Sequence, residues 1–119
     1  MDRALVVDDE IDICILLVGQ LKNLGFQASY CLSVTAANTE LASTSYDLIF
    51  VDLNLTDGSG YELIHSLRLF DKSAKIIVIS AYDGERQKAL DVGASLYISK
   101  PFSKKTIHES LLQLNFLNN

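Results

Sequence analysis

The sequence contains few cysteines, no long apolar segment and no excess of basic residues, and each of these absences excludes a class of protein. Two cysteines in 119 residues cannot form the disulfide framework of a small secreted domain. Both lie among apolar neighbours, which favours small buried side chains, and no CxxC or HxxxH spacing indicates zinc. No signal-peptide pattern opens the chain, and no apolar run reaches transmembrane length, so we expect the cytoplasm as its compartment.

The charge balance is acidic, with 10 Lys+Arg against 15 Asp+Glu and a formal net charge of -5. General binding to nucleic acid or to anionic lipid requires a cationic face, so we expect no direct contact with either nucleic acid or a membrane. A hydrophobic content of 49% and a charged content of 21% are typical of an ordinary globular domain. We therefore expect one domain over residues 1–119, large enough to bury its own core.

Short apolar segments alternate with longer helical patterns along the whole chain. Three segments are continuously apolar, as in strands that are buried on both faces of a parallel sheet, and a more polar one predicts an edge strand. The predicted strands are Ala4–Val7, the polar Gln27–Cys31, Leu48–Val51, Ile76–Ile79 and Leu96–Ser99. Five strands separated by helix-length segments predict an α/β fold: a doubly wound (βα)5 parallel sheet with the flavodoxin-like strand order 2-1-3-4-5.

The predicted helices span residues 10–24, 33–43, 59–70 and 85–92, and a last one starts at residue 103. The second has weak helix propensity, and the fourth is short. Gly25 stands where a C-terminal cap of the first helix belongs, and Ser103 is a good N-cap for the last. Apolar residues at helical spacing are expected to face the core, and they are Ile11, Cys14, Ile15, Val18 and Leu21 in the first helix and Ile107, Leu111 and Leu114 in the last.

Polar residues directly follow four of the predicted strands, at the sheet edge where open α/β sheets bind ligands. Each of them alone could be a helix cap or a turn residue. Together they bring three carboxylates, a hydroxyl and an ammonium to one crevice, and clustered carboxylates resist joint ionisation without a cation. Oxygen ligands suit Mg²⁺, which commonly pairs carboxylates with a phosphate. The carboxylates are Asp8 and Asp9 after the first strand, where Glu10 follows them, and Asp52 after the third; the hydroxyl is Ser80 and the ammonium is Lys100.

These residues, in this order, resemble the receiver domain of two-component response regulators, the CheY-like phosphoacceptor family. The resemblance covers the full chain. It implies a phosphorylation-operated switch rather than an enzyme, one that assists its own phosphorylation and dephosphorylation. A sensor histidine kinase or a histidine phosphotransfer protein would supply the phosphoryl group, and a downstream effector protein or domain would receive the signal. The motifs are Leu5-Val6-Val7-Asp8-Asp9-Glu10, Asp52-Leu53-Asn54-Leu55, Ser80-Ala81-Tyr82, Gly93-Ala94 and Tyr97-Ile98-Ser99-Lys100-Pro101-Phe102.

The same resemblance implies the roles of the residues around the acceptor. Asp52 would be the phosphoacceptor. Asp9 and Asp52 would bind Mg²⁺ directly, Asp8 would bind it through water, and the main-chain carbonyl of Asn54 would be a further ligand. Lys100 would pair with the phosphoryl group.

Other residues would transmit and time the signal. Ser80 would hydrogen-bond to the phosphoryl group, and Tyr97 would follow it inward, changing the face made by the fourth helix, the fifth strand and the fifth helix. A cis peptide between Lys100 and Pro101 would aim the lysine. The positions that tune self-hydrolysis would be Asn54 and Tyr82.

The sequence also departs from the family pattern and leaves other classes open. Thr56 stands where the family often has proline, which predicts a less rigid loop, and the segment from Ser80 to Gly93 is short. A small Mg²⁺-dependent phosphatase that works through an aspartyl-phosphate would usually need a second acid at the position of Asn54. Flavodoxin-type cofactor binding has only the fragment Gly58-Ser59-Gly60 in its favour. A degenerate receiver that acts only as an interaction module is the remaining alternative.

Overall fold

A sheet of five parallel strands with helices on both faces forms the centre of the computed structural model, which describes residues 2–118. The strands are β1 (Arg3–Val7), β2 (Gln27–Cys31), β3 (Leu48–Asp52), β4 (Asn54–Leu55), β5 (Gly58–Ser59), β6 (Lys75–Ser80) and β7 (Leu96–Ser99). The helices are α1 (Ile11–Asn23), α2 (Val34–Ser43), α3 (Gly60–Phe70), α4 (Arg86–Asp91) and α5 (Lys104–Gln113). A short 3₁₀ turn at Asp83–Glu85 precedes α4.

The five-stranded sheet has the order β2-β1-β3-β6-β7, and β4 and β5 form a separate antiparallel hairpin. Without this hairpin, the order is the predicted 2-1-3-4-5, and all neighbouring strands are parallel. The more polar strand β2 lies at the edge, as predicted. The carboxyl ends of β1, β3, β6 and β7 consequently meet at one side of the sheet.

Two hydrophobic clusters cover the two faces of the sheet. Successive residues of a strand point to opposite faces, so Leu5 and Val7 of β1 pack towards α2, α3 and α4, while Ala4 and Val6 pack towards α1 and α5. Because helices cover both faces, the inner strands have no solvent side, and this explains their continuous apolar sequences.

Local signals in the sequence set several helix ends. Gly25 follows the end of α1 with φ 100°, a left-handed conformation that glycine adopts without steric cost. Serine hydroxyls accept hydrogen bonds from backbone N–H groups in the first turns of α2, α3 and α5, and these serines are Ser33, Ser59 and Ser103. The cap at Ser33 helps to explain why α2 forms despite its weak propensity.

The predicted core stripe of α1 is wrong at two positions. Ile11 and Ile15 are 46% and 56% exposed, whereas Leu17, which lay outside the predicted stripe, is completely buried. Residues 11–18 are apolar on nearly all sides of the helix, so the pattern permits more than one stripe. The buried row is Cys14, Leu17, Val18 and Leu21. At the other end of the chain, the predicted core residue Leu114 lies just beyond α5 and is only partly buried.

None of the helices in the described part of the chain combines the length and the apolar character that crossing a bilayer demands.

The two neighbouring leucines of α1 provide a matched test of this orientation. Leu17 is buried and Leu16 is 68% exposed. We expect Leu17→Ala to lower the free energy of unfolding by about 2–5 kcal/mol, because it leaves a cavity against the sheet. Leu16→Ala should change it by less than about 0.5 kcal/mol. Urea unfolding of both variants measures this difference, and equal losses would contradict the orientation of α1.

Candidate functional site

Three carboxylates meet where two adjacent strands end. Asp8 and Asp9 follow β1, and Asp52 is the last residue of β3, its neighbour in the sheet. One oxygen of each carboxylate lies within 4.8 Å of one oxygen of each of the others. Asp8 and Asp52 are buried and Asp9 is exposed, so the cluster opens to solvent at Asp9.

Lys100 reaches this cluster from the loop after β7. Its Nζ lies 3.0 Å from Asp8 Oδ2 and donates a hydrogen bond of 3.1 Å to Asp52 Oδ2. Glu10 Oε2 is farther away, at 3.8 Å. Burial disfavours the charged ammonium, but its contacts with Asp8 and Asp52 outweigh this effect and raise the pKa of Lys100. The lysine therefore stays protonated and offsets part of the negative charge.

The two oxygens of Asp8 have different partners. Its Oδ1 accepts a 2.8 Å hydrogen bond from the Glu10 N–H, and its buried Oδ2 lies 3.0 Å from the Lys100 ammonium. Burial raises the pKa of the Asp8 carboxyl. Three clustered carboxylates face one ammonium, and an all-oxygen cluster with this excess of negative charge fits a hard divalent cation such as Mg²⁺. The residues present therefore fit the expected Mg²⁺ site.

The loop after Asp52 is fixed by a close approach of the backbone. A Cβ at Gly60 would lie 2.4 Å from the main-chain oxygen of Asp52, so only glycine fits at this position. The Gly60 N–H donates to the Leu53 carbonyl at 3.0 Å, and the Asn54 N–H donates to Asp52 Oδ1 at 3.1 Å. Ser59, the middle residue of the Gly58-Ser59-Gly60 fragment, caps α3.

Ser80 ends β6 and is completely buried. Its hydroxyl accepts a 3.1 Å hydrogen bond from the Tyr82 N–H. Its carbonyl accepts a 2.7 Å hydrogen bond from the Lys100 N–H, which joins the ends of β6 and β7. The peptide bond between Lys100 and Pro101 is cis. Ser80 and Lys100 are thus linked through their backbones at the crevice.

Tyr97 lies on β7 with its ring buried. Its hydroxyl donates a hydrogen bond to the main-chain carbonyl of Tyr82, in the loop that follows Ser80. The guanidinium carbon of Arg86 in α4 lies 5.1 Å from the centre of the ring. Tyr97 therefore connects the loop beside the carboxylates with the face that carries α4.

Sequence reasoning missed two groups of contacts around the site. Thr56, in the turn of the β4–β5 hairpin, donates a 3.4 Å hydrogen bond to Asp9 Oδ2, and Asp57 next to it accepts hydrogen bonds from the start of α2. The Asp57-Gly58 pair is a hairpin signal that could have revealed the turn to within one residue, since the turn residues are Thr56 and Asp57. Tyr61 at the start of α3 donates a 2.8 Å hydrogen bond to Glu85, before α4. No local pattern predicts this last contact.

Comparison with known proteins identifies the family. The chain matches the response regulator receiver domain family over residues 4–112, and it therefore belongs to that family. Receiver domains of response regulators are signalling switches of two-component systems that phosphorylation operates, not conventional enzymes.

Two relatives illustrate the extent of the match. The KDP operon transcriptional regulatory protein KdpE of Escherichia coli is 38% identical over 104 residues, which cover 86% of this chain and 46% of that protein. The cell cycle response regulator CtrA of Brucella ovis is 33% identical over 105 residues, which cover 86% of this chain and 45% of that protein. The chain thus spans less than half the length of either relative.

Solved structures confirm the predicted fold. The response regulator TrrA of Thermotoga maritima, solved in complex with Mg²⁺-BeF, has a TM-score of 0.87 and 32% identity, covering 96% of this chain and 99% of that one. A CheY-like receiver domain of Methanospirillum hungatei JF-1 has a TM-score of 0.90 and covers 96% and 93% of the two chains. At 22% identity, this second likeness shows the shared fold alone.

A cation bound by the carboxylates should stabilise the protein, and the gain should rise with the logarithm of its concentration above the dissociation constant. At 100 times its dissociation constant, Mg²⁺ should add about 2.7 kcal/mol to the free energy of unfolding, because it binds only the folded site. Asp9→Asn should abolish most of this gain without disturbing the core, since Asp9 is exposed. Thermal unfolding with increasing Mg²⁺, and with EDTA as the reference, measures the effect.

Asp12→Asn is the matched control, because it removes the same charge from an exposed position in the first turn of α1. This variant should gain as much stability from Mg²⁺ as the unsubstituted protein. If Asp9→Asn gained as much as Asp12→Asn, Asp9 would not be a ligand.

Proposed function

We propose that transfer of a phosphoryl group to Asp52 operates this domain, and that the donor is a phosphohistidine of a sensor histidine kinase or of a histidine phosphotransfer protein. The observation that carries the proposal is the position of the Asp52 carboxylate. It ends the central strand β3, contacts the Lys100 ammonium at 3.1 Å, and lies beside Asp8 and Asp9. The membership of the receiver family and the Mg²⁺-BeF complex of TrrA support the same assignment.

The reaction needs little beyond positioning and charge neutralisation. An oxygen of Asp52 attacks the phosphorus atom of the donor, the P–N bond breaks, and its electron pair returns to the imidazole ring of the donor. Lys100, already close to Asp52, pairs with the phosphoryl oxygens, which carry the negative charge once the group is on Asp52. Mg²⁺ bound by Asp9, Asp52 and the Asn54 carbonyl, with Asp8 assisting through water, would neutralise these oxygens.

The signal leaves the site through the switch pair, Ser80 and Tyr97. In the proposal, the Ser80 hydroxyl gives up its bond with the Tyr82 N–H, which measures 3.1 Å, and donates to the phosphoryl group. The Tyr82 carbonyl accepts the Tyr97 hydroxyl, so movement of this loop acts on the ring and on Arg86 above it. The population of conformations of the face made by α4, β7 and α5 then shifts.

Two side chains near the acceptor would determine how long the phosphoryl group stays on Asp52. Asn54 lies two residues after Asp52, and Tyr82 lies two residues after Ser80. Both side chains are exposed. We propose that their side chains control how water approaches the acyl phosphate, so that the domain assists its own dephosphorylation without acting on a separate substrate.

The proposed output is the binding of a partner to the face made by α4, β7 and α5. The two relatives are a transcriptional regulatory protein and a cell cycle response regulator, and less than half of each is matched. We propose that residues 1–119 form one receiver domain in the cytoplasm and that its output is contact with a downstream effector protein or domain.

Phosphorylation of Asp52 is directly measurable. Acetyl phosphate or phosphoramidate with Mg²⁺ should add one phosphate to the protein, as intact mass measures, and EDTA should prevent it. Asp52→Asn should remain unmodified, whereas Asp12→Asn, an exposed aspartate of α1, should be modified fully. Equal labelling of the Asp52→Asn protein would sink the assignment, and an unmodified natural sequence would favour a degenerate receiver.

Tyr97→Phe tests the switch while it preserves the volume of the buried ring. This variant loses only the hydroxyl that donates to the Tyr82 carbonyl. We expect phosphorylation at an unchanged rate but smaller changes in the amide NMR signals of α4, β7 and α5 after phosphorylation. If phosphorylation itself were lost, the ring would have a structural role at the acceptor instead.

A further inference from the structure

The turn between β4 and β5 makes two sets of contacts to which the proposed phosphoryl transfer assigns no role. A two-stranded hairpin is marginally stable by itself, and each of these strands has only two residues. External contacts must therefore hold it in place. The hairpin begins at Asn54, two residues after the phosphoacceptor.

On one side, Asp57 attaches the turn to the first turn of α2. Its Oδ1 accepts a 2.8 Å hydrogen bond from the Val34 N–H, and its Oδ2 accepts bonds of 3.0 Å from the Thr35 N–H and 2.7 Å from the Thr35 hydroxyl. These bonds, first among them the one from the Thr35 N–H, lower the pKa of Asp57. Gly58 packs closely on the same helix, since a Cβ there would lie 3.2 Å from Val34 Cγ2.

On the other side, Thr56 faces the carboxylate cluster. Its hydroxyl donates to Asp9 Oδ2 at 3.4 Å, although 47 residues separate the two along the chain. Thr56 and Asp57 are adjacent, so whatever fixes Asp57 also limits where the Thr56 hydroxyl can lie. Partners that hydrogen-bond to a ligating carboxylate orient it and commonly strengthen metal binding.

We propose that Asp57 is a positioning residue for the cation site: by binding the first turn of α2 it holds the Thr56 hydroxyl against Asp9, and so orients that carboxylate for Mg²⁺. The proposal rests on the proposed function, because it assumes that Asp9 is a ligand.

A plain capping role for Asp57 would give the same bonds, so the experiment must separate the two. Ser33 is the matched control: its hydroxyl caps α2 through the Ala36 N–H at 3.1 Å and has no contact with the hairpin turn in the described hydrogen bonds. Ser33→Ala should weaken α2 and leave Mg²⁺ affinity unchanged. Asp57→Ala should weaken both.

Mg²⁺ titration of the full chain, followed by backbone amide NMR, measures the affinity. We expect Asp57→Ala and Thr56→Val each to raise the dissociation constant about 3–10-fold, at or below the lower end of what such supporting partners contribute, because the turn is exposed. Thr56→Ser should restore the affinity, since it keeps the hydroxyl. Asp57→Asn, which keeps one acceptor oxygen and is the safer variant for folding, should give an intermediate value.

The double variant Thr56→Val with Asp57→Ala shows whether Asp57 acts through Thr56. If it does, the loss in the double variant is smaller than the product of the two single losses. A full product, an Asp57→Ala affinity equal to that of the unsubstituted chain, or an equal loss in Ser33→Ala would each overturn the proposal.

Failure of the proposed function has a different signature. The unsubstituted chain would then neither bind Mg²⁺ nor accept a phosphoryl group, and the positioning role would fall with it. Normal Mg²⁺ binding and phosphorylation in the unsubstituted chain, with no effect of Asp57→Ala, would overturn the positioning role alone.

Discussion

Asp8 and Asp52 are buried side by side at the ends of adjacent strands, and the energetic cost of keeping two such carboxylates ionised determines what surrounds them. In an environment of low polarity their mutual repulsion is strong, so cations must offset it. Lys100 supplies one, at 3.0 and 3.1 Å from the two groups. The cluster of Asp8, Asp9 and Asp52 nevertheless holds three carboxylates for this one ammonium. Its negative charge is therefore only partly offset, and this explains why the site fits a divalent cation and, beside that cation, an incoming phosphoryl group.

A series of hydrogen bonds and contacts starts at Lys100 and connects the carboxylates to the surface of the domain. The backbone of Lys100 is bonded to that of Ser80, the Ser80 hydroxyl is bonded to the Tyr82 N–H, and the Tyr82 carbonyl accepts the hydroxyl of Tyr97. Arg86 of α4 lies over the ring of Tyr97. These contacts form a continuous path from the carboxylates to α4. On its other side, the site depends on the β4–β5 hairpin and, through Asp57, on α2.

Sequence patterns predicted the parts of this structure that depend on local or strictly periodic features. Continuous apolar runs predicted the inner strands because helices cover both faces of the sheet, and serines predicted helix starts because their hydroxyls bond to the adjacent turn. The predicted buried face of α1 was wrong at Ile11 and Ile15, because a segment that is apolar on several sides does not define one buried face. The acids of the site were predictable because they follow neighbouring strands. The contacts of Thr56 with Asp9 and of Asp57 with Val34 could not be predicted. They depend on the register of a hairpin and on how segments far apart in the sequence pack together.

The most direct test of this account is a crystal structure of the domain with Mg²⁺ and beryllofluoride, which mimics a phosphoryl group. We expect the beryllium to be bound to a carboxylate oxygen of Asp52, Mg²⁺ to be bound by Asp9, Asp52 and the Asn54 carbonyl, and the Lys100 ammonium to contact a fluoride. Beryllofluoride on another carboxylate, or Mg²⁺ bound away from the Asp8, Asp9 and Asp52 cluster, would contradict the claim that these three acids form a phosphoryl-accepting site.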